Sequence, residues 1–183
     1  MRRVFAVTLL LGLCLHGSDA AAQRTNAERR AAELAAFFSK RKHEVREKKG
    51  VRVEKFKEVK SEPAVRGDAA AYAGEYESDT GCGLTLRVAA GGAVEADGCE
   101  PGPDGNRRFT LRGARLEGAL LTGTKVYDDG TNEKFEGLFI NRTDRDSPTD
   151  AGTTTFGLGV IFDPPRAAHN GSYTLSRLFY RKK

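Results

Sequence analysis

The sequence predicts an all-β protein, about eight antiparallel strands in a small barrel, preceded by a signal peptide and a basic helical arm. Three observations carry this. In the last two-thirds of the chain, apolar residues alternate with polar residues or glycine in run after run, the period of a half-buried strand. Turn chemistry separates the runs, with 17 of the 21 glycines in residues 68–183. Charge divides the chain at the same place: residues 23–67 carry 14 Lys/Arg against 7 Asp/Glu, and residues 68–183 carry 14 against 17. The units expected are a signal peptide over 1–22, a basic, partly helical arm over 23–67 and an antiparallel β-barrel domain over 68–183. A length of 183 residues allows one such domain, and a mean hydropathy of −0.50 excludes a polytopic membrane protein.

The chain opens with Arg2 and Arg3, then an apolar run from Val4 to Leu15, a break at His16–Asp19, and Ala20, Ala21 and Ala22. That order is the pattern of a secretory signal, with cleavage expected before Ala21 or Gln23. The run is too short for the ~20 apolar residues of a membrane helix, so no transmembrane span is expected. The Ala-, Arg- and Gly-rich composition points to a bacterium, so the expected destination is the periplasm or the outside of the cell.

The arm reads as a helix over about 26–49. Thr25 and Glu28 fit a capping box, Ala27, Ala31, Leu34, Phe38 and Val45 make a narrow apolar stripe, and Gly50 is a natural stop. Val51 to Lys57 alternate well enough for a short edge strand, which Ser61-Glu62-Pro63 ends. Residues 40–60 hold ten Lys/Arg against four Glu. Lys40, Arg41, Lys42, Arg46, Lys48 and Lys49 form a patch suited to lipid headgroups, an acidic polysaccharide or an acidic protein face. The bland alternative is a solvated leader. Nucleic acid is not expected, because no aromatic residues interleave the cations as a stacking platform.

Strands are expected near 72–77, 84–89, 93–97, 107–112, 115–127 (with a break at Gly118), 132–142, 153–162 and 173–181. Asp128-Asp129-Gly130-Thr131 is a hairpin turn, and a three-residue loop there would set Lys125 opposite Glu133. Ala90-Gly91-Gly92 makes a second turn. A three-residue loop there matches Val88 to Val94 and Leu86 to Ala96 but leaves Cys82 and Cys99 one residue out of opposition. These are the two cysteines left once Cys14 departs with the signal, so a Cys82–Cys99 disulfide is expected, reconciled by a bulge at Gly98.

Tyr72-Ala-Gly74-Glu-Tyr76, followed by Leu84-Thr-Leu-Arg-Val88 and a glycine turn, resembles the first hairpin of lipocalin-like (calycin-type) secreted barrels. The resemblance implies an Arg of the last strand, Arg177 or Arg181, laid over the Tyr76 ring. A second resemblance, to the hairpin of MORN repeats, rests on Gly123…Tyr127-Asp-Asp-Gly130…Phe135-Glu-Gly137-Leu-Phe139, with no second clean copy.

No catalytic constellation is legible. His43 and His169 lack a Ser or Cys context, and no cofactor or metal is called for. The function expected is therefore non-catalytic: an exported barrel binding a small apolar ligand or an envelope partner, or an interaction protein docking through its basic arm. Tyr76, Phe109, Phe135, Phe139, Phe156 and Phe162 are the period-two candidates to line a ligand chamber. The same rings can equally fill a solid core.

Overall fold

The computed structural model describes residues 15–182 apart from 49, 79–80, 90–92, 103–104, 163–165, 169–170 and 174–175. Helix α1 (Leu15–Phe38) is followed by β1 (Lys40–Lys48), β2 (Val51–Pro63) and a 3-10 turn (Ala69–Tyr72). Then come β3 (Gly74–Ser78), β4 (Gly83–Val88), β5 (Ala93–Gly102), β6 (Gly105–Glu117), β7 (Leu120–Tyr127), β8 (Asn132–Arg145) and β9 (Thr153–Phe162). The chain finishes with β10 (Arg166–Ala168), β11 (Gly171–Tyr173) and β12 (Ser176–Arg181). Every pairing is antiparallel. Eight strands close a ring in the order β3-β4-β5-β6-β7-β8-β9-β12 and back to β3, while β10 and β11 form a separate hairpin.

Hairpin chemistry sets the registers. Gly130, at φ +81°, closes the three-residue loop that places Lys125 opposite Glu133. β4 and β5 pair Val88 with Val94 and Leu86 with Ala96; the Ala90-Gly91-Gly92 turn expected between them lies outside the described residues. Gly118, at φ +61°, breaks the long run into β6 and β7. Gly113, at φ +59°, sits in a bulge where two residues of β6 face Gly123, whose absent side chain leaves room for Ala114.

The basic segment departs from the sequence expectation. No helix spans 26–49: α1 runs from Leu15 through Thr25, so the predicted capping box has no free end to cap, and it stops at Phe38. The Ser39 hydroxyl bonds back to the Ala35 carbonyl, and from Lys40 the chain pairs residue by residue with β2. Gly50, at φ +73°, is a hairpin turn and not a helix stop. Charged residues in alternation fit either period, and pairing with a neighbouring strand decides the matter.

Nor does this segment stand apart from the barrel. Ala31, Leu34, Ala35 and Phe38, one face of α1, are buried on the outside of the barrel. Phe38 lies against Gly159, where a Cβ would come within 2.5 Å of its ring. Arg30 clasps Glu136 of β8 at 2.8 and 2.6 Å. Leu138 and Ile140, which alternate outward on β8, are buried on the same side.

β2 is joined to the barrel through β8. β7 covers one edge of β8 up to Leu138. At Phe139 the amide donates to Ala119 and the carbonyl accepts from Ala64. From Ile140 to Arg145 the same edge is covered by β2. Pro63, with no amide hydrogen to offer a ladder, ends β2 at that junction.

If α1 belongs to the core, Leu34→Ala will cost about 2–5 kcal/mol in denaturant unfolding, the range for a large buried aliphatic. A protein starting near Gly67 will expose Leu138 and Ile140 and will not unfold cooperatively. A loss for Leu34→Ala below about 0.5 kcal/mol, the scale of surface changes, would show instead that the helix is a bystander.

Candidate functional site

The barrel interior is the first candidate, and among the described residues side chains fill most of it. Tyr76, Phe109, Phe135 and Phe139 are all buried at 4% exposure or less. Phe156 is half-buried and stacks on Phe139, with ring planes 4° apart and centroids at 5.9 Å. The side chain of Phe162 lies outside the described residues. Tyr72 and Tyr76 complete an aromatic plug at this end: Tyr72 lies 4.5 Å from Phe139, centroid to centroid, and the Tyr76 hydroxyl donates to the Tyr72 carbonyl at 2.6 Å. Burial pushes the Tyr76 hydroxyl up to about 12. Arg66 lies over the Phe156 ring at 4.9 Å.

Of the two arginines expected over Tyr76, Arg177 and Arg181, the second takes a different seat. Arg181 stands opposite Tyr76 in the β12–β3 ladder, but its guanidinium lies over Gly74 and donates to the carbonyls of Ala71 and Ala73 at 3.1 and 2.7 Å. Gly74, at φ +149°, has no side chain to obstruct it. The last strand thus ties the 3-10 turn and β3 into a closed end.

The other end of the barrel is charged. Lys125 is almost fully buried, with Nζ 2.8 Å from Glu100 and 3.1 Å from Glu133. The Tyr127 hydroxyl lies 2.7 Å from Glu100 and 2.9 Å from Glu133. Burial, with the two carboxylates beside it, raises the Tyr127 pKa well above the ordinary value. Arg107 covers the Tyr127 ring at 3.9 Å and bonds to Asp129 and Thr131. A void of about 10 Å³ remains between Leu84, Phe109, Lys125, Phe135 and Phe179, the space of one water and no apolar ligand.

Cys82 and Cys99 are thiols and not a disulfide. The β4–β5 ladder runs without a bulge from Val88↔Val94 to Leu84↔Gly98, so the two cysteines stay one residue out of opposition. β5 and β6 do carry a bulge, but between Val94 and Ala96, where it cannot correct the cysteine register. Burial pushes the Cys82 thiol up to about 12, and a hydrogen bond with Cys99 pushes the same way.

The second candidate, the basic patch, is a two-stranded hairpin that sorts its charges by face. One face carries Lys40, Lys42 and Arg46 of β1 with Lys55 and Lys57 of β2, all exposed, and a single acid, Glu44. Glu44 bonds Lys42 at 3.0 Å and Arg46 at 3.2 Å, and Lys42 holds its carboxyl below the usual range. Lys40, Lys55 and Lys57 have no ion-pair partner among the described residues. Lys42 stands directly opposite Lys57. The other face neutralises itself. Arg41 pairs with Glu58 at 3.8 Å and covers the Phe56 ring, and His43 contacts Glu54. Arg41, grouped with the patch on sequence grounds, therefore faces away from it. Lys49 and the side chain of Lys48 lie outside the described residues. Lys55 and Lys57 were missed because the strand pairing that brings them beside β1 cannot be seen while 40–48 is read as helix.

Among the described residues no helix is long and apolar enough to cross a membrane, and no group of His, Cys, Asp and Glu is placed to hold a metal. No family model matches the chain, and no curated protein or solved structure matches it.

Two measurements check this geometry. Lys125→Ala leaves two carboxylates uncompensated and will destabilise the fold by about 3–5 kcal/mol, as when a buried pair loses one partner. Alkylation of the native protein, followed by mass spectrometry, will label Cys99 well before Cys82, and unfolding will erase the difference. Equal native rates would contradict the burial and raised pKa of Cys82.

Proposed function

We propose that the protein is an exported, non-catalytic interaction protein whose barrel holds the β1–β2 hairpin against an anionic surface of the cell envelope. The observation that carries this reading is the division of charge between the hairpin's faces: one is neutralised by its own ion pairs, and the other keeps five exposed cations around one glutamate. Like charges set opposite each other on a ladder destabilise it, so Lys42 against Lys57 is a cost that an anionic partner removes. Export rests on the Arg2-Arg3, apolar and small-residue pattern of the first 22 residues.

The rival reading is a lipocalin-like carrier of a small apolar molecule. It draws on the eight-stranded closed barrel and the Gly74-x-Tyr76 strand. Among the described residues the barrel interior holds a void of only about 10 Å³, which argues against it, because a carrier's ligand needs a chamber of several hundred.

Anionic vesicles test the two together. The protein will bind phosphatidylglycerol vesicles at low salt, each engaged cation contributing about 1 kcal/mol, and release them at high salt. Lys55→Glu with Lys57→Glu will abolish binding. Arg41→Glu with Arg52→Glu, an equal charge change on the neutral face, will leave most of it. Equal losses from both double variants would reduce the effect to net charge and end the docking reading, while a thermal shift with fatty acids would revive the carrier.

A further inference from the structure

The hairpin also presents a strand edge that none of the described residues covers. β1 ends the ten-stranded sheet, and its nine residues pair only with β2. The outward amides and carbonyls of such an edge are a template for another strand. The charges beside this one decide which strand it accepts. A second copy is repelled on the basic face: antiparallel pairing of two β1 strands over their whole length sets Lys40 against Lys48, Lys42 against Arg46 and Glu44 against Glu44, and only Arg41 against Glu47, on the other face, is complementary. A strand with acids opposite Lys40, Lys42 and Arg46, and none opposite Glu44, meets opposite charge at each of these positions.

We infer that the β1 edge receives an acidic, extended segment of a partner protein as an added antiparallel strand. This rests on the reading that the basic hairpin face is the docking surface, and it names the partner's chemistry. Side-chain ion pairs form on the basic face, and the partner's backbone completes the ladder. Its alternate residues lie beside His43 and Val45, and Val45 is 49% exposed in the free protein. A bilayer or a polysaccharide would meet the cations but leave the edge to water. A strand engages both, which is why the polypeptide is the better match.

The test uses the full chain and a synthetic peptide, Glu-Val-Thr-Val-Glu-Val-Glu, whose order sets its acids against Arg46, Lys42 and Lys40. A control peptide replaces the valines with proline, keeping the charge and removing the amides that a ladder needs. The first peptide will bind and slow amide hydrogen exchange along β1. The proline peptide will bind about tenfold more weakly or worse, since every lost ladder bond subtracts from affinity. Lys42→Glu with Arg46→Glu will reject the acidic peptide and accept Lys-Val-Thr-Val-Lys-Val-Lys, a rescue that general stickiness would not produce. If both acidic peptides bind equally, strand addition is wrong and docking is purely electrostatic. If neither binds while anionic vesicles do, strand addition alone is overturned. If neither peptides nor vesicles bind, the docking reading falls with it.

Discussion

The structure depends on how one strand edge is satisfied. β8 is 14 residues long, and β7, its neighbour, is only eight. Six residues of β8, Ile140 to Arg145, would present bare amides and carbonyls beyond the end of β7, next to Ile140, which is fully buried. An unpaired buried backbone group costs about as much as a lost hydrogen bond, so the edge must be taken up. β2 takes it, with the changeover at Phe139, whose amide serves one neighbour and whose carbonyl serves the other. Once β2 is fixed there, β1 is carried beside it and α1 is delivered to the outer face of β8. The basic hairpin therefore stands on the barrel's own hydrogen-bond ladder and not on a loose linker.

The interior explains why function moves to the surface. One end is stoppered by rings, Tyr72, Tyr76, Phe139 and Phe156, and by Arg181 tied to the turn before β3. The other end holds a buried cation between two carboxylates and a phenol. Among the described residues neither end leaves a chamber. Buried ion pairs add little net stability compared with apolar side chains of the same size, but a broken one is expensive. Here the pairing has a definite consequence: Lys125 meets Glu133 only in the register set by the three-residue turn at Gly130, so a slip of one residue would strand a buried charge.

Most of the barrel was legible in the sequence. Period-two alternation and glycine turns placed a run on each of the eight ring strands, and opposite charge chose the Lys125–Glu133 register correctly; the expected gap at 113–114 is a bulge inside the single strand β6. What was not legible followed from contacts distant in sequence. The stretch from Lys40 to Lys48 is charged at nearly every position, so its own pattern does not separate helix from strand, and only β2 beside it does. Leu34 and Phe38 looked like a thin stripe on a solvated arm, because the surface they cover, Gly159 and the outward residues of β8, lies more than a hundred residues away. The cysteine pairing failed for a local reason. Two cysteines flanking a hairpin invite a bond, but the apolar face of Leu84, Leu86, Val94 and Ala96 holds the ladder in the register that keeps them out of opposition. The charge-sorted hairpin face was half visible: Lys40, Lys42 and Arg46 were in the predicted patch, while Lys55 and Lys57 join them only through the ladder.

The same ladder makes the hairpin an unusual surface feature. A strand edge guarded by lysines is a common defence against aggregation, and β1 fits that description. Defence alone, however, does not require the second strand to repeat the charge. β2 could set glutamates opposite Lys42 and gain cross-strand attraction, as it does on the opposite face, where Glu58 stands across from Arg41 and Glu54 contacts His43. One hairpin thus sets only complementary charges across the ladder on one side, Arg41 with Glu58 and Glu47 with Arg52, and on the other adds a like pair, Lys42 with Lys57, beside Glu44 and Lys55. Propensity, solubility and edge protection apply to both sides equally and cannot produce the difference. A ligand that meets only one side can, because the unfavourable face is then stabilised in the bound state and the self-neutralised face keeps the free hairpin folded.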